Sequence, residues 1–313
     1  MKTLQAIDAL REFDSPLHLA IGVFDGIHLG HRAVIEAALS SAGADETDGG
    51  MAAVATFDPH PVRVLSPANA PRLLTSTRHK LDLIGRLGIQ TALVIPFDHA
   101  FAEIEAEDFV RTLATAAVRL KRICVGEDWR FGHRCRGDVS LLREMGRALG
   151  FEVTGVPMVA VDGVKASSTR IREAVAAGDL DVAGKLLGRP YTVLGTVVEG
   201  RRLGRQIGFP TANLTVHSEQ LPPTGVYAVT GRRSGQSFGG VGNLGYRPTV
   251  EGGDLRRLLE VHLFDFEGDL YGEDLEIEFR AYLRPERKFD SIDELKARIG
   301  KDTVAARRIL AAG

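Results

Sequence analysis

The stretch AIGVFDGIHLGH, residues 20–31, joins an apolar run to a helical pattern and decides the fold of the first half of the chain. The apolar residues that end at Val23 predict a buried parallel strand, and RAVIEAALSSA from Arg32 predicts an amphipathic helix. His28 and His31 are therefore expected where a strand becomes a helix. That position is where α/β folds bind ligands.

The turn also has the chemistry of a phosphate site. Free backbone N–H groups and the dipole at a helix start favour an anion. Gly26 and Gly30 let a phosphate approach the main chain, and the imidazoles of His28 and His31 are hydrogen-bond donors. The stretch predicts a triphosphate site. Two histidines three residues apart also suit a metal site or an ordinary loop, but no nearby Cys or third His completes a zinc set.

GVFDGIHLGH resembles the HxGH signature of the nucleotidyltransferase superfamily. Its FDGxHxGH form resembles the N-terminal module of prokaryotic bifunctional riboflavin kinase/FMN adenylyltransferases, or FAD synthetases. The resemblance implies that His28 and His31 are catalytic and stabilise charge on ATP. It further implies ATP or phosphate contacts from the rest of the turn, namely Gly22, Phe24, Asp25, Gly26 and Gly30.

Length and composition bound the class of protein. A chain of 313 residues exceeds the usual size of one domain, so two domains are expected. The 39 basic and 41 acidic residues are interspersed and give no electrostatic footprint for nucleic acid or an anionic membrane. Neither a signal peptide nor a membrane span is recognisable, which predicts a cytoplasmic protein. Cys124 and Cys135 form no CxxC motif and are interpreted as structural or incidental thiols.

From Leu17 to about Val161, apolar runs alternate with helical patterns. The runs predict strands at LHLAIGV, MAAVATF, TALVIPF, RICVG and EVTGV, with helices between them. Alternation of uniformly apolar strands with helices predicts a doubly wound, Rossmann-like parallel sheet with helices on both faces. The polar segment 42–50, AGADETDGG, predicts a surface loop.

Two further segments follow predicted strands of this sheet. In TFDPHP, residues 56–61, the prolines end the strand, and VGEDWRFGHRCRGD, residues 125–138, is a polar loop with an aromatic pair. Taken alone, both suit ordinary turns. Their resemblance to FAD synthetase segments implies that His60, Asp128 and Trp129 border the flavin, with Trp129 where the family usually has Phe.

SSTRIR, residues 167–172, opens a helical pattern that continues as two short helices to residue 188. A single Ser here would be read as a helix cap. The segment resembles the second signature of the nucleotidyltransferases, which implies that Ser167, Ser168, Thr169 and an arginine hold the β- and γ-phosphates of ATP. Because residues two apart diverge on a helix, we expect Arg170 and not Arg172 to reach the phosphates.

The pattern changes near residue 187, where short β-branched and aromatic runs separated by Gly and Pro begin. This spacing predicts an antiparallel barrel or sandwich, closed off by an amphipathic helix at SIDELKARIGKDTVAARRIL. The expected domains are therefore 1–187 and 188–313. By the resemblance, they are an FMN adenylyltransferase domain and an antiparallel β-barrel riboflavin kinase domain.

GRRLGRQIGFPTANL, residues 200–214, suits a Gly-rich bulge or turn, yet it closely resembles the riboflavin kinase signature GRxxGFPTAN. The resemblance implies phosphate contacts from Gly204, Arg205, Gly208 and Pro210. It also implies that Thr211 and Asn213 offer oxygen ligands to Mg²⁺, which prefers hard oxygen donors.

GVGNLGYRPTV, 240–250, LEVHLFDFEGDLYG, 259–272, and YLRPERKFDSIDEL, 282–295, resemble the same kinase family in order. The resemblance implies that Glu260 is the base that orients or deprotonates the riboflavin 5′-hydroxyl, and that Arg284 and Phe289 border the flavin ring. Without it, Glu260 would be interpreted as an outward residue on a half-exposed strand.

These motifs together predict a bifunctional enzyme. Its second module would convert riboflavin and ATP to FMN, and its first would convert FMN and a second ATP to FAD and pyrophosphate, with Mg²⁺ as cofactor. Riboflavin, FMN, FAD and ATP are the expected partners, and self-association is left open. The alternatives are an enzyme with one surviving activity and a flavin sensor without activity; intact motifs in both halves argue against them.

Overall fold

The computed structural model describes residues 1–44, 49–200, 204, 207–248 and 255–312, apart from the side chains of 247, 248, 255 and 256. The chain divides into two compact units. The first comprises Met1–Pro71 and Thr77–Ser168, and the second comprises Arg72–Ser76 and Thr169–Gly313. Each unit has its own hydrophobic core.

The first unit is built on a parallel sheet of six strands. The strands are β1 (Lys2–Leu4), β2 (Leu17–Ile21), β3 (Met51–Asp58), β4 (Thr91–Pro96), β5 (Leu120–Gly126) and β6 (Glu152–Val156). Their order in the sheet is β1-β4-β3-β2-β5-β6, and every neighbouring pair is parallel. The chain therefore builds outward from β2 in one direction through β3 and β4, and in the other through β5 and β6.

Helices connect these strands. They are α1 (Leu29–Gly43), α2 (Pro61–Leu65), α3 (Thr77–Arg86), α4 (His99–Ala102), α5 (Ala106–Ala116) and α6 (Val139–Leu149). A small antiparallel pair, β7 (Ala160–Val161) and β8 (Val164–Lys165), follows β6.

The sheet is covered on both faces. Along β2, Leu17, Leu19 and Ile21 enter one hydrophobic cluster, whereas Ala20 enters the other together with Val34 and Ile35 of α1 and others. All five residues of β2 are buried, which explains why four of them are apolar, with His18 as the exception, and why the strand does not alternate apolar and polar residues. The predicted Rossmann-like fold is confirmed.

This unit shows local differences from the sequence prediction. The strand β1 at the sheet edge was missed, because three residues of which only Leu4 is buried give no detectable pattern. The helix α1 starts at Leu29 and not at Arg32, because the His28 side chain caps it. Within the expected loop 42–50, α1 runs to Gly43, and residues 45–48 lie outside the described part of the chain.

The second unit contains two helices and then a closed antiparallel barrel. The helices are α7 (Ser168–Ala177) and α8 (Leu180–Leu187), of which α7 begins at the last residue of the first unit. The barrel strands are β9 (Thr192–Val198), β10 (Ala212–Val216), β11 (Gly225–Arg233), β12 (Gln236–Pro248), β13 (Leu255–Leu263) and β14 (Asp274–Arg284). They follow the order β10-β13-β12-β11-β14-β9, and β9 pairs with β10 to close the barrel.

The C-terminal helix α9 (Ile292–Ala311) packs on the barrel through Ala306, which joins a cluster with Val226, Val241 and Phe264. Its N-cap is Ser291, whose side chain accepts a hydrogen bond from the Glu294 N–H. The predicted barrel and closing helix are thus confirmed, and the sandwich alternative is excluded. The sequence prediction missed β10, since it placed the first three residues of this strand, up to Leu214, in the loop 200–214.

In the described residues, no helix is both long and apolar enough to cross a bilayer.

Candidate active sites

The carboxyl ends of β2, β3 and β5 bring three of the predicted segments to one edge of the first unit's sheet. The HxGH turn follows β2, TFDPHP ends β3, and GEDWRFG follows β5. Because β2 is the strand from which the chain builds in both directions, this edge is a topological switch point, where doubly wound sheets bind ligands.

The two histidines of the HxGH turn form one rigid pair. The imidazole of His28 is 7% exposed, and its Nδ1 accepts a hydrogen bond from the backbone N–H of His31 at 3.3 Å. The two rings stack with centroids 3.6 Å apart, and Phe24 packs edge-on against His31 at 5.4 Å. This capping hydrogen bond holds the ring of His28 at the N-terminus of α1, where the helix dipole favours an anion.

Glycines leave room for these rings. A Cβ on Gly30 would lie 3.1 Å from Cε1 of His28, and a Cβ on Gly22 would lie 2.9 Å from the Phe24 ring. Gly26 has a φ of +83°, in the left-handed region that glycine adopts without strain. Asp25, beside it, is 4% exposed.

The segment before α7 meets this turn. The Ser168 hydroxyl donates to the Asp25 carbonyl at 2.9 Å, and the Ala166 carbonyl lies 3.7 Å from the position of a Cβ on Gly30. Ser167 lies between these contacts in the chain. The structure therefore brings the two signatures together, although about 140 residues separate them.

Thr169 and Arg170 lie in the first turn of α7, beyond the residues assigned to the first unit. The exposed Arg170 makes a long ion pair with Glu173, 3.9 Å. Arg172, in contrast, donates through Nε to the Arg72 carbonyl at 2.8 Å. Arg172, which we did not expect to reach the phosphates, is thus hydrogen-bonded to a backbone carbonyl.

His60 caps α2. Its Nδ1 accepts a hydrogen bond from the Val62 N–H at 3.2 Å, directly after the cis peptide bond between Asp58 and Pro59. The residue therefore has a local structural role at the carboxyl end of β3. The cap uses Nδ1 of the ring and not Nε2.

The loop after β5 carries an aromatic pair and an ion pair. Trp129 stacks on Phe131 with centroids 4.5 Å apart. Asp128 receives a hydrogen bond from Lys165 at 2.8 Å, and this bond is the main cause that holds the pKa of Asp128 below its usual value. The ion pair connects the loop to β8, two residues before Ser167.

Sequence reasoning missed Lys80, on α3. Its side chain is buried, 5% exposed, yet its ammonium group donates to oxygens at the ends of both β2 and β3. The pattern HKLDLIGRLG indicated a helix, and nothing in it distinguishes a buried lysine from one on a solvated face.

In the second unit, the pairing of strands aligns three of the predicted site residues, Asn213, Glu260 and Arg284. Five residues lie opposite one another in adjacent strands and form one row across β10, β13, β12, β11 and β14. They are Asn213, Glu260, Asn243, Val226 and Arg284. Opposite residues share a face of the sheet, and all five line one cavity of about 290 Å³. Glu260 is therefore not an outward residue.

A second cavity of about 450 Å³ has Pro210, Val261, Phe266 and Tyr271 among its lining residues. Thr211 lines both cavities. The GFPTAN segment thus runs between them, with Asn213 on the side of Glu260 and Pro210 on the other side. Two adjoining cavities that share a hydroxyl residue have the geometry to hold two ligands side by side.

Asn213 has an oxygen available for a ligand. Its Oδ1 is buried and accepts no hydrogen bond from the residues that the structure describes. In the described part of the chain, this site included, no three His, Cys, Asp or Glu side chains cluster as a metal site. Hydroxyl and amide oxygens at Thr211 and Asn213 are hard donors that fit Mg²⁺. The sequence pattern placed Asn213 in the loop 200–214, but in the structure it lies in β10.

The loop that leads to GFPTAN is held at Gly204, whose carbonyl accepts the N–H of Phe209 at 2.8 Å. A Cβ on Gly204 would lie 2.3 Å from the Phe209 carbonyl oxygen, so the close approach requires glycine. Gly208 has a φ of +86°. The predicted phosphate ligand Arg205 lies outside the described residues.

Arg284 is bound by Asp302 of α9. Its Nε and Nη2 donate to Asp302 at 2.8–3.1 Å, and both side chains are largely buried. The guanidinium also lies 5.7 Å from the ring of Phe289, which lines the same cavity. The predicted flavin-side pair therefore forms part of the cavity wall, and Arg284 also fastens α9 to the barrel.

The first cavity has polar residues that sequence reasoning did not select. Asn243 Nδ2 donates to Glu286 at 2.9 Å, and His262 Nδ1 donates to the Pro210 carbonyl at 2.8 Å. Asn243 lies in the motif GVGNLGYRPTV, but its position in the cavity becomes evident only from the pairing of β12 with β13. Glu286 follows the end of β14, so no strand pattern indicates which way its side chain points.

Comparisons with known proteins agree with this division. The model of the FAD synthetase family matches residues 10–170, and the model of the riboflavin kinase family matches residues 187–310. The chain is 41% identical over 290 residues to the bifunctional riboflavin kinase/FMN adenylyltransferase of Escherichia coli K12, which covers 92% of this chain and 91% of that protein. The protein of the same description from Pseudomonas fluorescens is 38% identical and covers 99% and 98%.

Among solved structures, a protein from Streptococcus pneumoniae described as a macrolide-efflux protein matches with a TM-score of 0.80. The match covers 98% of this chain and 99% of that one at 30% identity. The likeness therefore extends over the full length of both chains.

Proposed function

The chain belongs to the family of bifunctional riboflavin kinase/FMN adenylyltransferases, and from that premise we propose which residues perform each of its two reactions. The enzyme phosphorylates riboflavin to FMN and adenylylates FMN to FAD, with ATP as the co-substrate of both steps. We assign the first reaction to the paired cavities of the barrel and the second to the HxGH edge of the parallel sheet.

In the kinase reaction, the 5′-hydroxyl of riboflavin attacks the γ-phosphorus of ATP, the bond to the β-phosphate oxygen breaks, and ADP leaves. We place riboflavin in the first cavity, against Phe289, and ATP in the second, beside Pro210. Glu260 accepts a hydrogen bond from the attacking hydroxyl and then its proton. Phosphoryl transfer depends mainly on positioning and charge neutralisation, so a carboxylate that aligns the hydroxyl is sufficient.

Gly204, Gly208 and Arg205 belong to the loop that we expect around the phosphates. Thr211 Oγ1 and Asn213 Oδ1 would hold Mg²⁺, which when bound neutralises charge on the transferring phosphoryl group. The support for this assignment is the buried amide oxygen of Asn213, together with the position of Thr211 between the two cavities.

In the adenylyltransferase reaction, an FMN phosphate oxygen attacks the α-phosphorus of ATP and pyrophosphate leaves. His28 and His31 donate hydrogen bonds to the triphosphate and stabilise the charge that collects on the departing pyrophosphate. The backbone of Gly26 and the hydroxyls of Ser167 and Ser168 line the same place. No covalent enzyme intermediate is required, since orientation of the two substrates lowers the barrier.

We assign the remaining residues of this module as follows. At the sheet edge, Gly22, Phe24, Asp25 and Gly30 shape the turn, and His60, Asp128 and Trp129 border FMN. The assignment of Thr169 and Arg170 to the terminal phosphates rests on the resemblance of SSTRIR to the nucleotidyltransferase signature. The flat stack of Trp129 on Phe131 is a suitable wall for an isoalloxazine ring.

Three coarser features complete the proposal. The matched ranges 10–170 and 187–310 support functional modules of 1–187 and 188–313. A cytoplasmic location is proposed because both reactions consume ATP. Self-association is compatible with either reaction, and size-exclusion chromatography with light scattering measures it.

The observation that carries the proposal is the row of Asn213, Glu260 and Asn243 across three strands that line one cavity. The experiment is incubation of the purified chain with ATP and Mg²⁺, once with riboflavin and once with FMN, followed by chromatography of the flavins. We expect FMN and FAD from riboflavin and FAD from FMN. Only FMN from riboflavin, or only FAD from supplied FMN, would favour a single-activity enzyme, and binding of flavin without either product would favour a sensor.

A further inference from the structure

A buried lysine lies beneath the HxGH turn and none of the steps above uses it. Lys80 is 5% exposed, and charged lysines are almost never buried unless their ammonium group is satisfied. Here it is satisfied by three oxygens. Nζ donates to the Thr56 hydroxyl at 2.9 Å, to the Val23 carbonyl at 3.2 Å and to the Phe57 carbonyl at 3.3 Å.

These three oxygens belong to two different strand ends. Val23 follows β2 and leads into the HxGH turn, whereas Thr56 and Phe57 belong to β3, just before the TFDPHP turn. The carbonyl of Val23 accepts a second hydrogen bond from Thr56 Oγ1 at 3.0 Å. Lys80 and Thr56 thus form a clamp, a buried network that ties the exit of β2 to the exit of β3.

The clamp precedes a strained stretch of backbone. Directly after Val23, Phe24 has a φ of +55° and Ile27 a φ of +46°, which bulky residues adopt only when the surrounding structure imposes it. Phe24 packs edge-on against His31. A shift at Val23 would therefore pass through Phe24 to the catalytic histidine pair.

We propose that Lys80 is a positioning residue for FMN adenylylation, because its ammonium group fixes Val23 and thereby the conformation of the HxGH turn. It touches no reacting atom; it acts through the backbone that places His28 and His31. This inference rests on the proposed role of that turn, which the substitution of His31 tests by itself.

The three acceptors require the ammonium form. A protonated lysine has three N–H donors, and a neutral amine has two, so deprotonation leaves one of the three oxygens without its donor. Burial lowers the pKa of Lys80 from 10.5 to about 8, against the opposing effect of the nearby carboxylates of Asp25 and Asp58. As the pH rises through this value, the clamp loses a donor and its charge.

The first test replaces Lys80 with methionine in the full chain. We expect kcat for FAD formation from supplied FMN to fall by about 10- to 100-fold, the size of effect that a small misplacement of catalytic groups produces. KM for FMN should change much less than kcat. FMN formation from riboflavin by the same preparation should be unchanged, which serves as an internal measure of active protein.

The matched control is Lys121→Met, at an exposed position on β5 of the same unit. Circular dichroism and limited proteolysis establish that the first unit is folded in both variants. Equal rates of FAD formation in Lys80→Met and Lys121→Met would overturn the proposal. If the HxGH turn had no role in catalysis, the His31→Ala variant would retain FAD formation. This result would refute the proposed role of the turn and is distinct from a failure of the Lys80 proposal.

The second test does not depend on the stability of the methionine variant. In the wild-type chain, kcat for FAD formation should decline as the pH rises above about 8. In Lys80→Arg, which stays charged throughout this range, the decline should move to higher pH. An alkaline decline at the same pH in the wild type and Lys80→Arg would refute the role of the ammonium group.

Discussion

Replacing Asp302 with asparagine removes the carboxylate that fastens α9 to the barrel. Arg284 donates three hydrogen bonds to it, of 3.1, 2.9 and 2.8 Å, and Arg298 lies 3.2 Å away. The side chain of Asp302 is 4% exposed and that of Arg284 is 12% exposed. The substitution therefore leaves a largely buried guanidinium without its counter-charge.

The magnitude follows from that burial. Removing one partner of a buried pair costs about 3–5 kcal/mol, because the remaining charge is uncompensated. The lower end applies here, since asparagine still offers a carbonyl oxygen and Arg284 Nη1 keeps its bond to the Pro285 carbonyl at 2.9 Å. For a unit of this size, ~3 kcal/mol lowers the unfolding midpoint by roughly 6–12 °C.

The assay is thermal unfolding followed by circular dichroism and by the loss of riboflavin kinase activity. Asp265→Asn is the matched control, because Asp265 also pairs with an arginine of α9, Arg307, through two hydrogen bonds of 2.9 and 2.8 Å. That pair is exposed, so its loss should leave the midpoint nearly unchanged. Equal shifts in the two variants would refute the reasoning from burial.

Three further substitutions test the two sites. Gly30→Ala places a Cβ 3.1 Å from the His28 ring and should slow FAD formation about tenfold, whereas Gly43→Ala on the same helix meets no atom within 4 Å and should have no effect. Gly204→Ala clashes with a carbonyl oxygen at 2.3 Å and should suppress FMN formation while FAD formation from supplied FMN continues. Asn213→Ala should raise the Mg²⁺ concentration that gives half-maximal FMN formation by at least ~10-fold, measured by titration of the metal.

Most of the fold was predictable because its signals are local. Every strand of the parallel sheet except β1 has five residues or more, and β2, β3 and β4 are mostly buried and apolar, as burial on both faces requires. The strand β10 escaped detection because it is short, and because its Asn213 faces a cavity where an apolar residue would have marked a core strand. A polar residue that faces a cavity thus removed the apolar pattern by which the strand would have been recognised.

In the candidate sites too, residues that are contiguous in the sequence were predicted, whereas residues brought together by packing were not. The HxGH turn and GFPTAN were recognised because their residues are contiguous in the chain. Lys80 was missed, since its burial results from how α3 packs on the sheet. The hydrogen bonds between Arg284 and Asp302, 18 residues later, were equally hidden, because pairing of a strand residue with a helix residue leaves no periodicity to detect.

The division of labour between the two modules is tested most directly by one measurement of flavin products in two variants. His31→Ala and Glu260→Gln are each incubated with ATP and Mg²⁺, once with riboflavin and once with FMN, and the flavins are separated by chromatography. His31→Ala should form FMN from riboflavin and little FAD from either flavin. Glu260→Gln should form FAD from supplied FMN and little FMN from riboflavin. Loss of both products in either folded variant, or undiminished FMN formation by Glu260→Gln, would contradict the assignment.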